Sequence, residues 1–371
     1  MKRFLCLALL PFLLFHIPAR AAEENGTLAL SAECAALYDA EGRRPLYGKN
    51  SSMRHAMAST TKIMTALVAL EMLPLDTQIT VPAEATGVEG SSVYLKAGDV
   101  YTLEALLYAL LLQSANDAAE VIAYAVAGSI PAFAELMNER AAALGLTSTH
   151  FDNPHGLDSE THYTTASDLA LIACTALENS DFYKIVSSRH YAFYGVGGEN
   201  PRTLVNHNKL LYLYDGAVGV KTGFTKKCGR CLVSAAKRNG VLLVAVTLDA
   251  PSDWSDHAKL LDYGFSRLER RTLAQVGEIR FTLPLLNTDG SVTVANSEEI
   301  ALILEKGVKT PSPIVDLLPH PTAPIKKGAI AGHITYTAPD GRSATSPLIY
   351  TEDIPLPKSE KGRFGIRRKA Q

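Results

Sequence analysis

The chain has 371 residues, 47% of them hydrophobic and 20% charged, with a formal net charge of −2. That length allows two domains and a sizeable core, and the composition is that of a folded globular protein. No basic field runs across the body of the chain, which excludes a nucleic-acid partner.

The first predicted element is a secretory signal, "MKRFLCLALLPFLLFHIPARA". Lys2 and Arg3 supply the charged start and Phe4 to Ile17 the apolar stretch. Ala19-Arg20-Ala21 fits the small-x-small cleavage pattern. Residues 1–21 are therefore expected to be removed and the mature protein to be extracytoplasmic. No later segment reads as a transmembrane helix. Cys34, Cys174, Cys228 and Cys231 remain. They are too few for a disulfide scaffold in a chain this long. Cys228-Gly-Arg-Cys231 is a lone CxxC without the second ligand pair that a zinc site needs, and reads as structural or incidental.

"ECAALYDAEGRRPLYGKN" predicts two strands around the turn Asp39-Ala40-Glu41-Gly42. A helix carrying Lys62 follows and stops before Pro74. Residues 103–127 show helical periodicity on both sides of a polar break from Gln113 to Asp117. Pro131 opens another helix at its first turn and Gly145 closes it. "FDNPHGLD" is a loop, and a helix runs from Ser167 to Glu178. The period then changes. "GAVGVKTGFT" and "GRCLVSAAKRNGVLLVAVTLDA" are strand-like, with a hairpin turn at Asn239-Gly240. "DWSDHAKLLDYGFSRLERR" is the last predicted helix.

After Leu273 short strands alternate with Gly, Pro and Asp: "IRFTLPLL", "SVTVAN", "IALILEKG" and "AGHITYTAPDGRSATSPLIY". The expected architecture is an α/β domain over residues 22–272, an antiparallel sheet flanked by helices, followed by a small all-β domain over 273–357. Residues 358–371 form a basic tail that reads as solvated. Its second reading is a weak peripheral contact with an anionic membrane surface.

Chemistry is concentrated in three short motifs. Ser59 and Lys62 stand three apart in "MASTTKIMTAL", an apolar run with helical character. A lysine there either snorkels to the surface or sheds its proton and serves as a base. The same spacing recurs in Ser234-Ala235-Ala236-Lys237, in a predicted strand. Residues three apart in a strand point to opposite faces, so that pair cannot act together. At the start of a helix they share one face, and the positive helix N-terminus favours a developing alkoxide. Ser114-Ala115-Asn116 lies in the helix break, 55 residues after Ser59, and Lys221-Thr222-Gly223 in a strand, 107 residues after Ser114. Taken singly, these are helix-capping and surface strand residues. In this order on these element types, they form the set shared by penicillin-binding proteins and class A β-lactamases, with Ala115 in place of the usual central aspartate.

The motifs, together with "FDNPHGL", "DGAVGVKTGFT", "CLVSAAKRNG" and "APIKKGAIAG", resemble the low-molecular-mass penicillin-binding proteins, the serine-type D-alanyl-D-alanine carboxypeptidases. The resemblance covers nearly everything after the signal. It implies a transpeptidase/β-lactamase-like catalytic domain and removal of the terminal D-alanine from peptidoglycan stem peptides. Its substrate would be a stem peptide ending in D-Ala-D-Ala, β-lactams would acylate it, and no metal or organic cofactor is implied. Ser59 would be the nucleophile, Lys62 its base and Ser114 a proton relay. Asn116 would bind the substrate amide and orient Lys62. Lys221 and Thr222 would hold the terminal carboxylate, and Gly223 would let the substrate backbone approach. The backbone N–H groups of Ser59 and Phe224 would form the oxyanion hole. Many relatives carry histidine at the Phe224 position, which bears on substrate preference.

Two rivals follow from the same motifs: a β-lactamase of the same fold, and a non-catalytic penicillin-binding or wall-binding sensor. The intact nucleophile, base and clamp argue against the sensor. No segment between Ser114 and Lys221 resembles the loop that carries a β-lactamase's deacylating glutamate. Glu120, Glu135 and Glu139 fall at helical positions, Glu160 follows the "FDNPHGLD" loop, and Glu178 and Glu199 lack the expected neighbours. His150 and His155 flank "FDNP" without a zinc-peptidase pattern. His155 is expected to structure its loop.

Overall fold

The computed structural model describes residues 28–198 and 200–356. The signal segment, Glu199 and the basic tail lie outside them.

Five strands form the central sheet, in the order Arg44–Lys49, Cys34–Asp39, Val241–Leu248, Gly229–Arg238, Ala217–Thr225, with antiparallel neighbours throughout. Both faces are covered, which explains why "CAALYD" reads as a continuous apolar run. Cys34, Ala36 and Tyr38 join the large core shared with the helices Lys62–Met72, Leu103–Leu112 and Asn116–Ala127. Ala35 and Leu37 point the other way, onto Leu260 and Leu261 of the helix Asp253–Arg267. Leu103–Leu112 is buried nearly all round and packs inside the helical layer. Thr102 caps it by accepting from the Ala105 N–H.

The expected turns hold. Asn239 and Gly240 take φ of +49° and +78° in the two-residue hairpin. Ile130–Ala143 carries its proline in the first turn, and Ala166–Glu178 follows the "FDNPHGLD" loop. The last predicted helix is shorter than expected. The helix expected to run through Arg271 ends at Arg267, and Leu268–Ala274 is a strand paired with Ile300–Glu305. The expected boundary between 272 and 273 falls inside that strand. Leu268 and Ala274 are the two buried residues of this strand, and the ladder supplied by a distant strand outweighs the helical preference of Glu and Arg.

The C-terminal domain is all-β. Its five-stranded sheet has the order Arg280–Pro284, Ser291–Asn296, Ser343–Tyr350, Ile330–Thr337, Pro313–Leu317. Pro313–Leu317 sits in a segment that showed no strand pattern, and its side chains are mostly exposed.

Candidate active site

Ser59 sits in a 3₁₀ turn, Ala58–Thr61, that leads straight into the helix beginning at Lys62. The sequence fixes this turn locally. The Thr60 hydroxyl donates to the Met57 carbonyl at 2.6 Å and the Thr61 hydroxyl to the Ala58 carbonyl at 2.8 Å. Ala58 is held at φ +47°, a costly conformation for a residue with a Cβ. Gly156, at φ +92°, packs so closely on this turn that a Cβ there would stand 1.9 Å from the Ala58 carbonyl oxygen. Only glycine fits.

Lys62 is fully buried. Its Nζ lies 3.0 Å from Ser59 Oγ, 2.7 Å from Asn116 Oδ1 and 2.6 Å from the His155 carbonyl oxygen. Burial, and then the charge of Lys221, lower its pKa well below the ordinary lysine value, against a weaker opposing pull from Asp117. A neutral amine has two N–H donors and one lone pair. In that form the two carbonyl oxygens would take the donors and leave the lone pair facing the Ser59 hydroxyl.

Asn116 opens the helix Asn116–Ala127 and is 4% exposed. Its amide nitrogen donates to the Glu89 carbonyl at 2.6 Å, which fixes the amide orientation that presents Oδ1 to Lys62. Ser114, in the break before it, is held at φ +61°. The break is anchored by Asp117, whose carboxylate accepts from the Ser92 hydroxyl and from the Val93 and Leu95 N–H groups.

Lys221, Thr222 and Gly223 lie on the edge strand Ala217–Thr225. Lys221 is 1% exposed, and burial pushes its pKa down to about 7. Its amine donates to the Thr222 carbonyl at 2.7 Å. A Cβ on Gly223 would meet the Ser59 nitrogen, the Met57 carbonyl oxygen and Ala58 Cβ, each at 3.2 Å. The strand therefore abuts the Ser59 turn with no slack.

Ser59, Ser114, Thr222, Gly223 and Phe224 line one cavity of about 590 Å³. Lys62, Asn116 and Lys221 stand buried behind its wall. The eight residues singled out by the motifs thus converge on one place. Ser114 is not among the three partners of the Lys62 amine. The cavity also takes in Asn206, His207, Lys209, Arg230, Asp253 and Trp254, which the motifs did not indicate. Arg230 pairs with Asp253 at 2.8 Å on the rim.

The second S-x-x-K pair behaves as strand geometry requires. Ser234 is buried and hydrogen-bonds with His257, while Lys237 is exposed. Among the described residues, none of Glu120, Glu135, Glu139, Glu160 and Glu178 lines the cavity, and Glu199 lies outside them. Glu120 approaches His155 Nε2 at 3.4 Å, and Glu178 binds Arg43. His155 does more than order its loop: its backbone carbonyl is one of the two acceptors for Lys62. Elsewhere, Glu33, His55 and Asp249 bring one ligand atom each within 4.8 Å of one another, but none of them lines the Ser59 cavity.

The family model for D-alanyl-D-alanine carboxypeptidases, peptidase S11, matches residues 19–252. The chain belongs to this family. It is a serine-type D-Ala-D-Ala carboxypeptidase, which sets aside the β-lactamase and sensor alternatives. D-alanyl-D-alanine carboxypeptidase DacF of Bacillus subtilis is 31% identical, with 95% of each chain covered. DacC of Escherichia coli is 32% identical, covering 95% of this chain and 91% of its own. Among solved structures, DacD of Francisella tularensis superposes with a TM-score of 0.64 at 29% identity, over 90% of this chain and 95% of that one. The Streptomyces K15 DD-transpeptidase reaches 0.62 at 34% identity, over 65% of this chain and all of its own. Both bear the transpeptidase-like α/β fold, and only the longer match extends through most of the all-β domain.

Proposed function

We propose that the carboxypeptidase works through a Ser59 acyl-enzyme with neutral Lys62 as the base. The observation that carries this reading is a buried Lys62 nitrogen 2.7 Å from Asn116 Oδ1, 2.6 Å from the His155 carbonyl oxygen and 3.0 Å from Ser59 Oγ, so that a neutral amine would spend both N–H donors on the two carbonyls. Ser59 Oγ attacks the carbonyl between the two D-alanines and its proton passes to Lys62. The oxyanion is held by the backbone N–H groups of Ser59 and Phe224. Ser114 relays a proton to the amine of the departing D-alanine. Water then hydrolyses the ester and frees the shortened stem peptide.

Lys221 and Thr222 bind the terminal carboxylate, Asn116 the substrate amide, and Gly223 leaves room for the substrate backbone. Penicillin presents a carboxylate and a strained carbonyl to the same groups and acylates Ser59. Its leaving group stays tethered in the site and blocks water, so the penicilloyl-enzyme persists. The enzyme acts in the cell envelope, exported by residues 1–21, with the basic tail adding a weak contact with the membrane surface.

The test follows two species on one preparation. Free D-alanine is assayed from a diacetylated Lys-D-Ala-D-Ala peptide, and the mass of pre-loaded penicilloyl-enzyme is followed over time. Steady D-alanine release with a long-lived adduct supports the reading. Adduct loss within seconds, with no D-alanine from the peptide, overturns it.

A further inference from the structure

The CxxC pair is not used by this mechanism, yet it sits on the hairpin that forms one wall of the cavity. Cys228 and Cys231 are each 1% exposed, with free thiols. Their sulfurs are 3.8 Å apart, in van der Waals contact. We propose that Cys228 and Cys231 are a peroxide-oxidised modification site: they close reversibly to a disulfide, and the oxidised enzyme acylates more slowly.

Three observations place the pair where closure is felt. Cys231 is directly opposite Gly223 in the strand register, and Arg230 opposite Phe224. Cys231 Sγ also faces the Ala56 carbonyl at 3.9 Å, on the segment that enters the Ser59 turn. Thr225 Oγ1 joins the pair to the "FDNPHGLD" loop, at 3.1 Å from both Cys228 Sγ and Asp158 Oδ1. A disulfide draws the sulfurs together by about 1.8 Å, to a bond of about 2.05 Å. Gly223 packs so near the Ser59 turn that a Cβ on it would stand 3.2 Å from the Ser59 nitrogen, so a shift of the paired strand is passed on toward the Ser59 and Phe224 amides.

The two thiols divide the work. The hydrogen bond from Cys231, aided by Thr225, outweighs burial and pushes Cys228 down to about 6, while the same bond pushes Cys231 up. Cys228 thiolate attacks hydrogen peroxide: an S–O bond forms, the O–O bond breaks, and hydroxide leaves to be protonated to water. Cys231 sulfur then attacks the sulfenic sulfur; the S–S bond forms, the S–O bond breaks, and a second water departs with the Cys231 proton. Two thiols and one peroxide give one disulfide and two waters. A peroxide is small enough for so buried a pair. Cys34 and Cys174 are not comparable: burial holds their thiols up at about 11 and about 12.

The effect on acylation rests on the Ser59 and Phe224 amides being the oxyanion hole, and the experiment separates the two claims. Reduced protein is treated with a peroxide series, alkylated under denaturing conditions and digested with trypsin. Cleavage after Arg230 leaves the disulfide joining residues 228–230 to 231–237, a direct mass signature. Acylation by a fluorescent penicillin should slow about tenfold, a fraction of what losing one oxyanion donor costs, and recover with dithiothreitol. Cys228→Ala and Cys231→Ala should acylate normally and show no reversible slowing. Alkylation of both cysteines after peroxide, a disulfide that leaves the rate unchanged, or equal slowing in Cys228→Ala each overturns the proposal. Reduced protein that fails to acylate at Ser59 overturns the site reading and the rate effect together, while the linked peptides still decide the disulfide.

Discussion

Ser59-x-x-Lys62 and Ser234-x-x-Lys237 share a spacing and have opposite fates. In the first, a 3₁₀ turn running into a helix puts both side chains on one face, 3.0 Å apart. In the second, the strand sends Ser234 into the core against His257 and Lys237 to solvent. Spacing is only half of a catalytic motif; the backbone period that converts it into distance is the other half. Burial adds a second difference. Lys62 is enclosed and next to Lys221, both of which favour its neutral form. Lys237 stands exposed on its strand.

The largest expected effect comes from substituting the two lysines in parallel. Lys62→Arg keeps positive charge but cannot release a proton. Acylation by penicillin should fall roughly 100- to 10,000-fold, the range for removing a positioned base. Lys237→Arg should stay within about twofold, as surface changes do. Stopped-flow acylation, with circular dichroism to confirm folding, checks both. Equal losses would break the comparison.

Next in size is the pH profile of kcat/KM on the D-Ala-D-Ala peptide. Lys62 must be neutral to act as base, so activity should rise with pH through its lowered pKa. Lys221 must be charged to hold a carboxylate, and burial sets its pKa at about 7, so activity should fall as pH rises above that value. Lys221→Arg should remove the alkaline fall and keep the acidic rise. A profile unchanged by that substitution contradicts the clamp.

Ser234→Ala sharpens the contrast from the other side. It should leave acylation unchanged and destabilise the fold by about 1–3 kcal/mol, because the buried His257 loses a partner. Denaturant melts read this directly. A last effect is a pH slope of stability. Burial pushes His257 down to about 3 and His162 to about 4. Both fold neutral, whereas the unfolded chain protonates them at the ordinary histidine value of about 6.5. Their contribution is full above about 6.5 and is lost as pH falls toward 4 and then 3. Thermal melts should follow that course equally in wild type and Ser59→Ala.

Legibility tracked how local each feature is. Ser59 and Lys62 are neighbours on one turn, and the strand bearing Lys221 announced itself by composition. The central sheet and most of the short strands after Leu273 were readable from period and turn residues. His155 was half legible: the loop was evident, but the chain uses its backbone carbonyl, and a side-chain pattern carries no trace of that. Leu268 to Arg271 read as the end of a helix, because the partner that makes them strand lies about 30 residues on. The rim pair of Arg230 and Asp253 joins a strand to a helix beyond the next strand, and neither residue stands in one of the three catalytic motifs.

The central claim is that Ser59, deprotonated by Lys62, is the atom that becomes acylated. The most direct measurement is mass mapping of the penicillin adduct in rapidly quenched wild-type, Ser59→Ala and Ser234→Ala proteins. One adduct per chain on the peptide containing Ser59, retained in Ser234→Ala and absent in Ser59→Ala, is the predicted result. An adduct on any other residue, or one that survives Ser59→Ala, contradicts the account.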